Sequence, residues 1–166
     1  MNIQPRYYFI VLITTFICQF NASFGQDFFP PITNYTTDDY GHEYAPDNHG
    51  VTQDKSGVMY FGNTGNILAF DGTRWEEIPI VSSRVTRSLY TAQDGTIYVG
   101  VMGDFGYLSI DSVGSYKYQT LVDSTLRESN PFNDVWSIIE TSDGIFFQSE
   151  QQIFQYKNLL DQQFQK

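Results

Sequence analysis

The chain has 166 residues, a formal net charge of −10 and a single cysteine, Cys18. This length suits one domain with a substantial hydrophobic core. So large an acidic excess argues against nucleic-acid binding by this chain, because neutralising phosphates requires clustered Lys and Arg. With one cysteine, the chain can form no internal disulfide.

Residues 1–26 have the order of features that is typical of a secretory signal peptide. Arg6 precedes a short apolar run, and small residues follow up to Gly25. The run is short for a membrane span, although an uncleaved N-terminal anchor is the alternative. We therefore expect an exported protein, on the periplasmic or cell-surface side of a bacterial envelope. Any contact with the membrane would come only through a C-terminal segment outside this sequence.

The segment HEYAPDNH, from His42 to His49, opens with the His-Glu pair of zinc peptidases. That chemistry needs two His one helical turn apart on one helix face, with the Glu as the base. Here the second His follows seven residues later, and Pro46 interrupts any helix. We expect a loop and no metal site.

After residue 50 the apolar residues alternate with a period of two. Short runs such as VMYFG and TIYVG are rich in β-branched and aromatic residues and are bounded by Gly, Asp, Asn or Ser. This pattern predicts short β-strands, and no segment is a convincing amphipathic helix.

One pattern occurs three times when the chain is aligned on Gly57, Gly95 and Gly144. An apolar residue stands six positions before each of these glycines, and the first two copies have a second glycine five positions after. The third copy has Ser149 at that place. The residues expected to form the turns and the repeat are Asp54, Gly57, Gly62, Asp71, Gly72, Asp94, Gly95, Gly100, Asp143 and Gly144.

Repeats of about 40–50 residues made of short strands are typical of β-propeller blades. We predict an all-β fold with about three four-stranded blades. Because propellers close with roughly four to eight blades, we expect the N-terminal part of a larger, about seven-bladed propeller. The expected parts are a signal peptide (1–26), an N-terminal segment that could supply a closing strand (27–50), blade 1 (51–84), blade 2 with an insertion (85–134) and a partial blade 3 (135–166).

The combination of YVGVMGDFGYLSID, FDGTRW and the repeated Asp-Gly turns resembles the two-component regulator propeller repeats of exported Bacteroidetes-type sensors. The resemblance covers about residues 30–156. It implies a periplasmic propeller, commonly followed by a three-tyrosine β-sandwich domain, a transmembrane helix and a cytoplasmic output such as a histidine kinase. Those downstream domains would be its partners. Relatives often carry Trp where this chain has His49.

Three residues stand at equivalent places, two positions before the inner apolar residue of each copy: His49, Arg87 and Trp136. At the mouth of a propeller they would surround the channel entrance and bind an extracellular ligand, such as a glycan or another small molecule. The structural alternative is that Trp136 packs inside and Arg87 pairs with an acid.

The acidic turn residues Asp54, Asp71, Asp94, Asp111 and Asp143 are spread one per turn, whereas a calcium loop clusters its oxygens. We expect no catalytic residue, metal or cofactor in this chain, and a ligand-sensing function. Two alternatives remain open. One is a propeller enzyme, such as a polysaccharide lyase or a quinone-dependent dehydrogenase, and the other is a protein-binding scaffold or adhesion module.

Overall fold

A computed structural model describes residues 30–80 and 84–157 of the chain. The expected signal peptide and Cys18 lie outside the described residues. The chain divides into two compact units, Met1–Asn34 and Tyr35–Lys166. Of the first unit, residues 30–34 are described, and they carry neither helix nor strand.

The second unit consists mainly of short antiparallel strands, which confirms the prediction of an all-β fold. Within the described residues the elements are, in chain order, α1 (Thr37–Tyr40), β1 (Asn48–Gln53), β2 (Met59–Asn63), β3 (Asn66–Phe70), β4 (Trp75–Pro79), β5 (Thr86–Thr91), β6 (Ile97–Val101), β7 (Asp104–Ile110), β8 (Tyr116–Thr120), α2 (Ser124–Ser129), β9 (Val135–Thr141), β10 (Gly144–Ser149) and β11 (Ile153–Tyr156).

The strands form three up-and-down sheets, which are three blades of a β-propeller. Blade 1 contains β1–β4, blade 2 contains β5–β8, and blade 3 contains β9–β11. The first strand of each blade lies beside the first strand of the next, so β1, β5 and β9 are neighbours. These are the inner strands, on which the blades converge.

Each pair of neighbouring blades encloses its own apolar layer. Tyr60 and Ile78 of blade 1 pack against Val99 of blade 2, and all three are almost fully buried. The opposite face of blade 2 presents Tyr98 and Phe105 to Phe147 of blade 3, whose ring stacks on that of Phe105 with centroids 4.4 Å apart. The apolar residues of the repeat therefore hold blade to blade, because one sheet cannot bury both of its faces alone.

The turns that contain Asp and Gly lie at the C-terminal ends of the inner strands, where each inner strand connects to the second strand of its blade. Oδ1 of Asp54 accepts hydrogen bonds from the backbone N–H groups of Ser56 and Val58, at 2.8 and 3.0 Å. Asp94 does the same for Thr96, and Gly95 has a positive φ of 94°. In this conformation a glycine avoids the steric cost that other residues meet.

The third blade differs from the other two by one residue in its first hairpin. Val51 pairs with Phe61 and Leu89 with Val99, but Ile138 pairs with Phe147, one residue nearer along the chain. The structural counterpart of Gly62 and Gly100 is therefore Gln148, and placing Ser149 there was wrong by one position. Alignment on Gly144 missed this difference because the shorter turn keeps the same Asp-Gly letters.

The N-terminal segment contains a helix where a closing strand was considered. Residues 30–47 form no strand. α1 begins with a capping box, in which the Asp39 side chain accepts a hydrogen bond from the backbone N–H of Thr36 at 2.7 Å and the Thr36 side chain accepts one from a backbone N–H of the first turn. Tyr35 and Tyr40 pack on Trp75, with ring centroids 5.6 and 5.4 Å away. They cover the aromatic face of blade 1 that points away from blade 2.

The insertion between blades 2 and 3 contains the second helix, which the apolar pattern did not predict. Asp123 caps α2 by accepting a hydrogen bond from the N–H of Leu126 at 2.7 Å. Helices of one or two turns are too short to show a 3.6-residue period, so their caps are the only local signal.

The second strand of blade 2 lies so close to the first strand of blade 3 that a side chain is excluded at Gly100. A Cβ on Gly100 would overlap Ser88 Oγ and would lie 2.9 Å from the carbonyl oxygen of Val135. We predict that Gly100→Ala lowers the free energy of unfolding by about 3 kcal/mol, the upper end for overpacking. Urea unfolding measures this. Gly72→Ala is the control, since only its positive φ is strained and about 1–2 kcal/mol is expected. Equal losses in the two variants would contradict the close approach.

The turn carboxylate of Asp54 makes the free energy of unfolding fall as the pH becomes acidic. Burial raises the pKa of Asp54, but hydrogen bonds from Ser56, Tyr60 and the N–H of Val58 outweigh it and hold the pKa below its usual value. A carboxylate with a lowered folded pKa stabilises the fold above the unfolded pKa of about 4, and this stability is lost as the pH falls through the folded pKa. We predict a shallower fall in unfolding free energy between pH 5 and pH 2 for Asp54→Asn, measured by urea unfolding. Parallel curves would contradict this.

Candidate functional site

Each inner strand carries one extra residue near its start, and these residues are His49, Arg87 and Trp136. In blade 1, Asn48 and Gly50 pair with two consecutive residues of β2, so His49 has no partner in the ladder. In blade 2, Thr86 and Ser88 pair with two consecutive residues of β6, so Arg87 has no partner in the ladder. In blade 3 the ladder passes over Trp136 in the same way. Each of the three is thus the extra residue of a β-bulge, a device that redirects a side chain out of the regular alternation.

The bulges bring the three side chains together with an aspartate that precedes β9. The guanidinium of Arg87 donates from Nε to Asp134 Oδ1 at 2.9 Å, and its Nη1 lies 3.3 Å from His49 Nδ1. The carbon Cζ of Arg87 lies 5.0 Å from the centroid of the Trp136 ring. We call these four residues, one from each inner strand and one from the loop before β9, the bulge cluster.

The charges of the bulge cluster are partly shielded from water. Only 21% of the Arg87 side chain and 15% of the Asp134 side chain are exposed, so their attraction is stronger than that of a surface pair. Nη1 of Arg87 lies 3.3 and 3.5 Å from the two ring nitrogens of His49, toward which a guanidinium can only donate. The ion pair with Asp134 positions the Arg87 guanidinium beside His49 and Trp136.

Trp136 remains available to solvent despite its contact with Arg87. Its exposed fraction is 48%, and His49 is also exposed. The structural alternative for these residues is therefore half observed: Arg87 does pair with an acid, but Trp136 is not packed inside. An exposed indole beside an imidazole and a held guanidinium offers an aromatic face and polar groups at one place.

Asp134 is the member of the cluster that sequence reasoning missed. It stands two positions before Trp136, and Asp47 stands in the same place before His49. This recurrence was the available signal, but alignment on the turn glycines directed attention to the other end of the strands.

The remaining candidates lie elsewhere. Asp54 and Asp94 are at the opposite ends of β1 and β5, within their turns. His42 contacts the exposed Asp38 at 3.5 Å in the segment before blade 1. In the part of the chain that the structure describes, no three metal-binding side chains cluster. Among the same residues, no helix is both long and apolar enough to cross a membrane.

No family model matches the chain, and no curated protein matches it. Among solved structures, it is similar to a selenomethionine-substituted virginiamycin B lyase from Staphylococcus aureus, with 17% identity and a TM-score of 0.47. It is also similar to a streptogramin B lyase, with 19% identity and a TM-score of 0.45. Each match covers 68% of this chain and 41% of the other, so the chain spans about two fifths of their length.

Removing Arg87 should uncover the indole of Trp136. In a Trp75→Phe background, where Trp136 is the only tryptophan, we predict that Arg87→Ala increases acrylamide quenching of the fluorescence, because one ring face loses its cover. The variant should lose about 1 kcal/mol or more of stability, since Asp134 is left partly buried and unpaired. Arg74→Ala, an exposed arginine at the opposite end of blade 1, is the control. Unchanged quenching in both variants would contradict the stacked arrangement.

Proposed function

We propose that this chain is the ligand-sensing propeller of an exported signal-transduction regulator of the two-component type. The observation that carries the proposal is the bulge cluster, in which His49, Arg87 and Trp136 of three successive blades meet at one end of the inner strands. β-Bulges are frequent next to functional sites, where they redirect a side chain. Three aligned bulges are a feature that a binding site would use.

The ligand that fits this cluster best is a small extracellular glycan. The exposed part of the Trp136 ring offers an apolar platform, and His49 and Arg87 offer hydrogen-bonding groups beside it. A sugar ring has an apolar face and hydroxyl groups around its edge, so it complements both. Aromatic and arginine side chains also carry a large share of the binding energy at recognition sites.

Signalling would follow from ligand affinity that differs between two arrangements of the propeller and its downstream domains. A ligand shifts such an equilibrium only by the difference in its affinity for the two states. The inner strands are tied to each other, for example by the bond from Ser88 Oγ to the carbonyl oxygen of Val135 at 2.7 Å. A ligand that contacts residues of three blades would therefore favour one relative position of those blades.

The test is binding without turnover. Xylotetraose, cellotetraose and mannotetraose are titrated into the protein, with calorimetry and the fluorescence of Trp136 in a Trp75→Phe background as readouts. We predict that at least one of them binds and that Trp136→Ala weakens this binding tenfold or more, as for loss of a hot-spot side chain worth about 2 kcal/mol.

Trp75→Phe alone is the matched control, because Trp75 lies under Tyr35 and Tyr40 on the other face of blade 1. The oligosaccharide is recovered after incubation and examined by chromatography. Cleavage of the sugar would contradict a sensor and favour an enzyme. Binding that Trp136→Ala leaves unchanged would place the site away from the bulge cluster.

A further inference from the structure

A second candidate site lies in a groove of blade 2, at the same end as the bulge cluster but formed by other side chains. The groove is lined by the turn between β6 and β7, by α2 and by the loop before β9, and its main residues are Arg84, Met102, Gly103, Arg127, Phe132 and Asn133. None of these belongs to the bulge cluster. We call it the arginine groove.

Two guanidinium groups meet at one backbone oxygen in this groove. Nη1 of Arg84 donates to the carbonyl oxygen of Gly103 at 3.0 Å, and Nη1 of Arg127 donates to the same oxygen at 3.1 Å. The two nitrogens can be no farther apart than the sum of these distances. Gly103 has a φ of 67°, a left-handed conformation that favours glycine and turns its carbonyl toward both cations.

The positive charge of the arginine groove is only half compensated. Asp104 accepts from Nη2 of Arg127 at 3.3 Å, but no carboxylate among the described residues forms an ion pair with Arg84. Asp104 is also engaged by the hydroxyl of Thr120 at 2.6 Å. Two like charges held this close repel each other, and the repulsion is relieved when an anion binds between them.

The unused donors of the two arginines suit an oxyanion. A guanidinium has five N–H donors, and toward the residues that the structure describes Arg84 donates only from Nη1, to the carbonyl oxygens of Met102 and Gly103. Arginine pairs with carboxylate, sulfate and phosphate groups through parallel hydrogen bonds. The neighbouring wall is apolar, because Met102 is exposed there and the half-buried Phe132 packs on Phe105.

We propose that the arginine groove binds a small organic anion, with its acidic group between Arg84 and Arg127 and its apolar body on Met102 and Phe132. The net charge of the whole chain is −10. Against that background, a pair of arginines beside an apolar wall provides a local attraction for anions that the rest of the surface opposes. This inference goes beyond the proposed function and does not depend on glycan binding.

Benzoate and the neutral benzamide are the matched probes, and inorganic sulfate tests the charge alone. Each is titrated into 15N-labelled protein at low salt, and the backbone N–H signals of Gly103 and Asn133 are followed by NMR. We expect benzoate to shift both signals with saturation, sulfate to bind more weakly, and benzamide to bind at least tenfold more weakly than benzoate.

Arg84→Gln and Arg127→Gln should each weaken benzoate binding tenfold or more, whereas Arg74→Gln and Arg87→Gln should leave it within twofold. Arg84→Lys keeps the positive charge and should therefore retain part of the affinity that Arg84→Gln loses. This variant separates the loss of charge from a loss of folding. Equal affinity for benzoate and benzamide, or loss of binding in Arg87→Gln alone, would overturn the proposal. The second result would move the anion to the bulge cluster and leave the glycan hypothesis intact.

Discussion

The close approach of neighbouring blades along their first two strands is the constraint on which the rest of the structure depends. A Cβ on Gly62 would lie 2.9 Å from the carbonyl oxygen of Thr86, and one on Gly50 would lie 3.1 Å from that of Arg87. Together with Gly100, these positions let β1, β5 and β9 converge while the outer strands spread apart. Packing of this kind leaves room for large aromatic residues between the blades and excludes a Cβ at these glycine positions.

Convergence also explains why the bulge cluster can exist. In a regular ladder, side chains near the start of an inner strand point to one blade face or the other and are buried against a neighbour. A bulge releases one side chain from that alternation without moving the rest of the strand. Because the three strands start close together, Arg87 reaches both His49 and Trp136, and its charge is balanced by Asp134 from the loop that follows blade 2.

The blades were predictable from the sequence because they depend on local chemistry. Asp-Gly turns and alternating apolar residues predict hairpins, and the repetition of this pattern predicts sheets that pack on one another. The bulges were not predictable, since an extra residue in a ladder is seen only when its partner strand is known. Asp134 was missed because alignment on the turn glycines directed attention to the other end of the strands. Ser149 was placed where Gln148 lies because the shorter turn of blade 3 keeps the Asp-Gly letters. The helices escaped notice because their caps, at Thr36 and Asp123, have no apolar period to support them.

The shortened hairpin of blade 3 has a consequence for how such a molecule can vary. Blade 3 lacks one residue in its first turn, and yet Trp136 keeps the bulged place that His49 and Arg87 hold in blades 1 and 2. Length at the turn end of the inner strand is thus independent of geometry at the cluster end. Evolution, or an engineer, can graft loops of different size onto one rim of the blades and change recognition residues on the other, each without disturbing its counterpart.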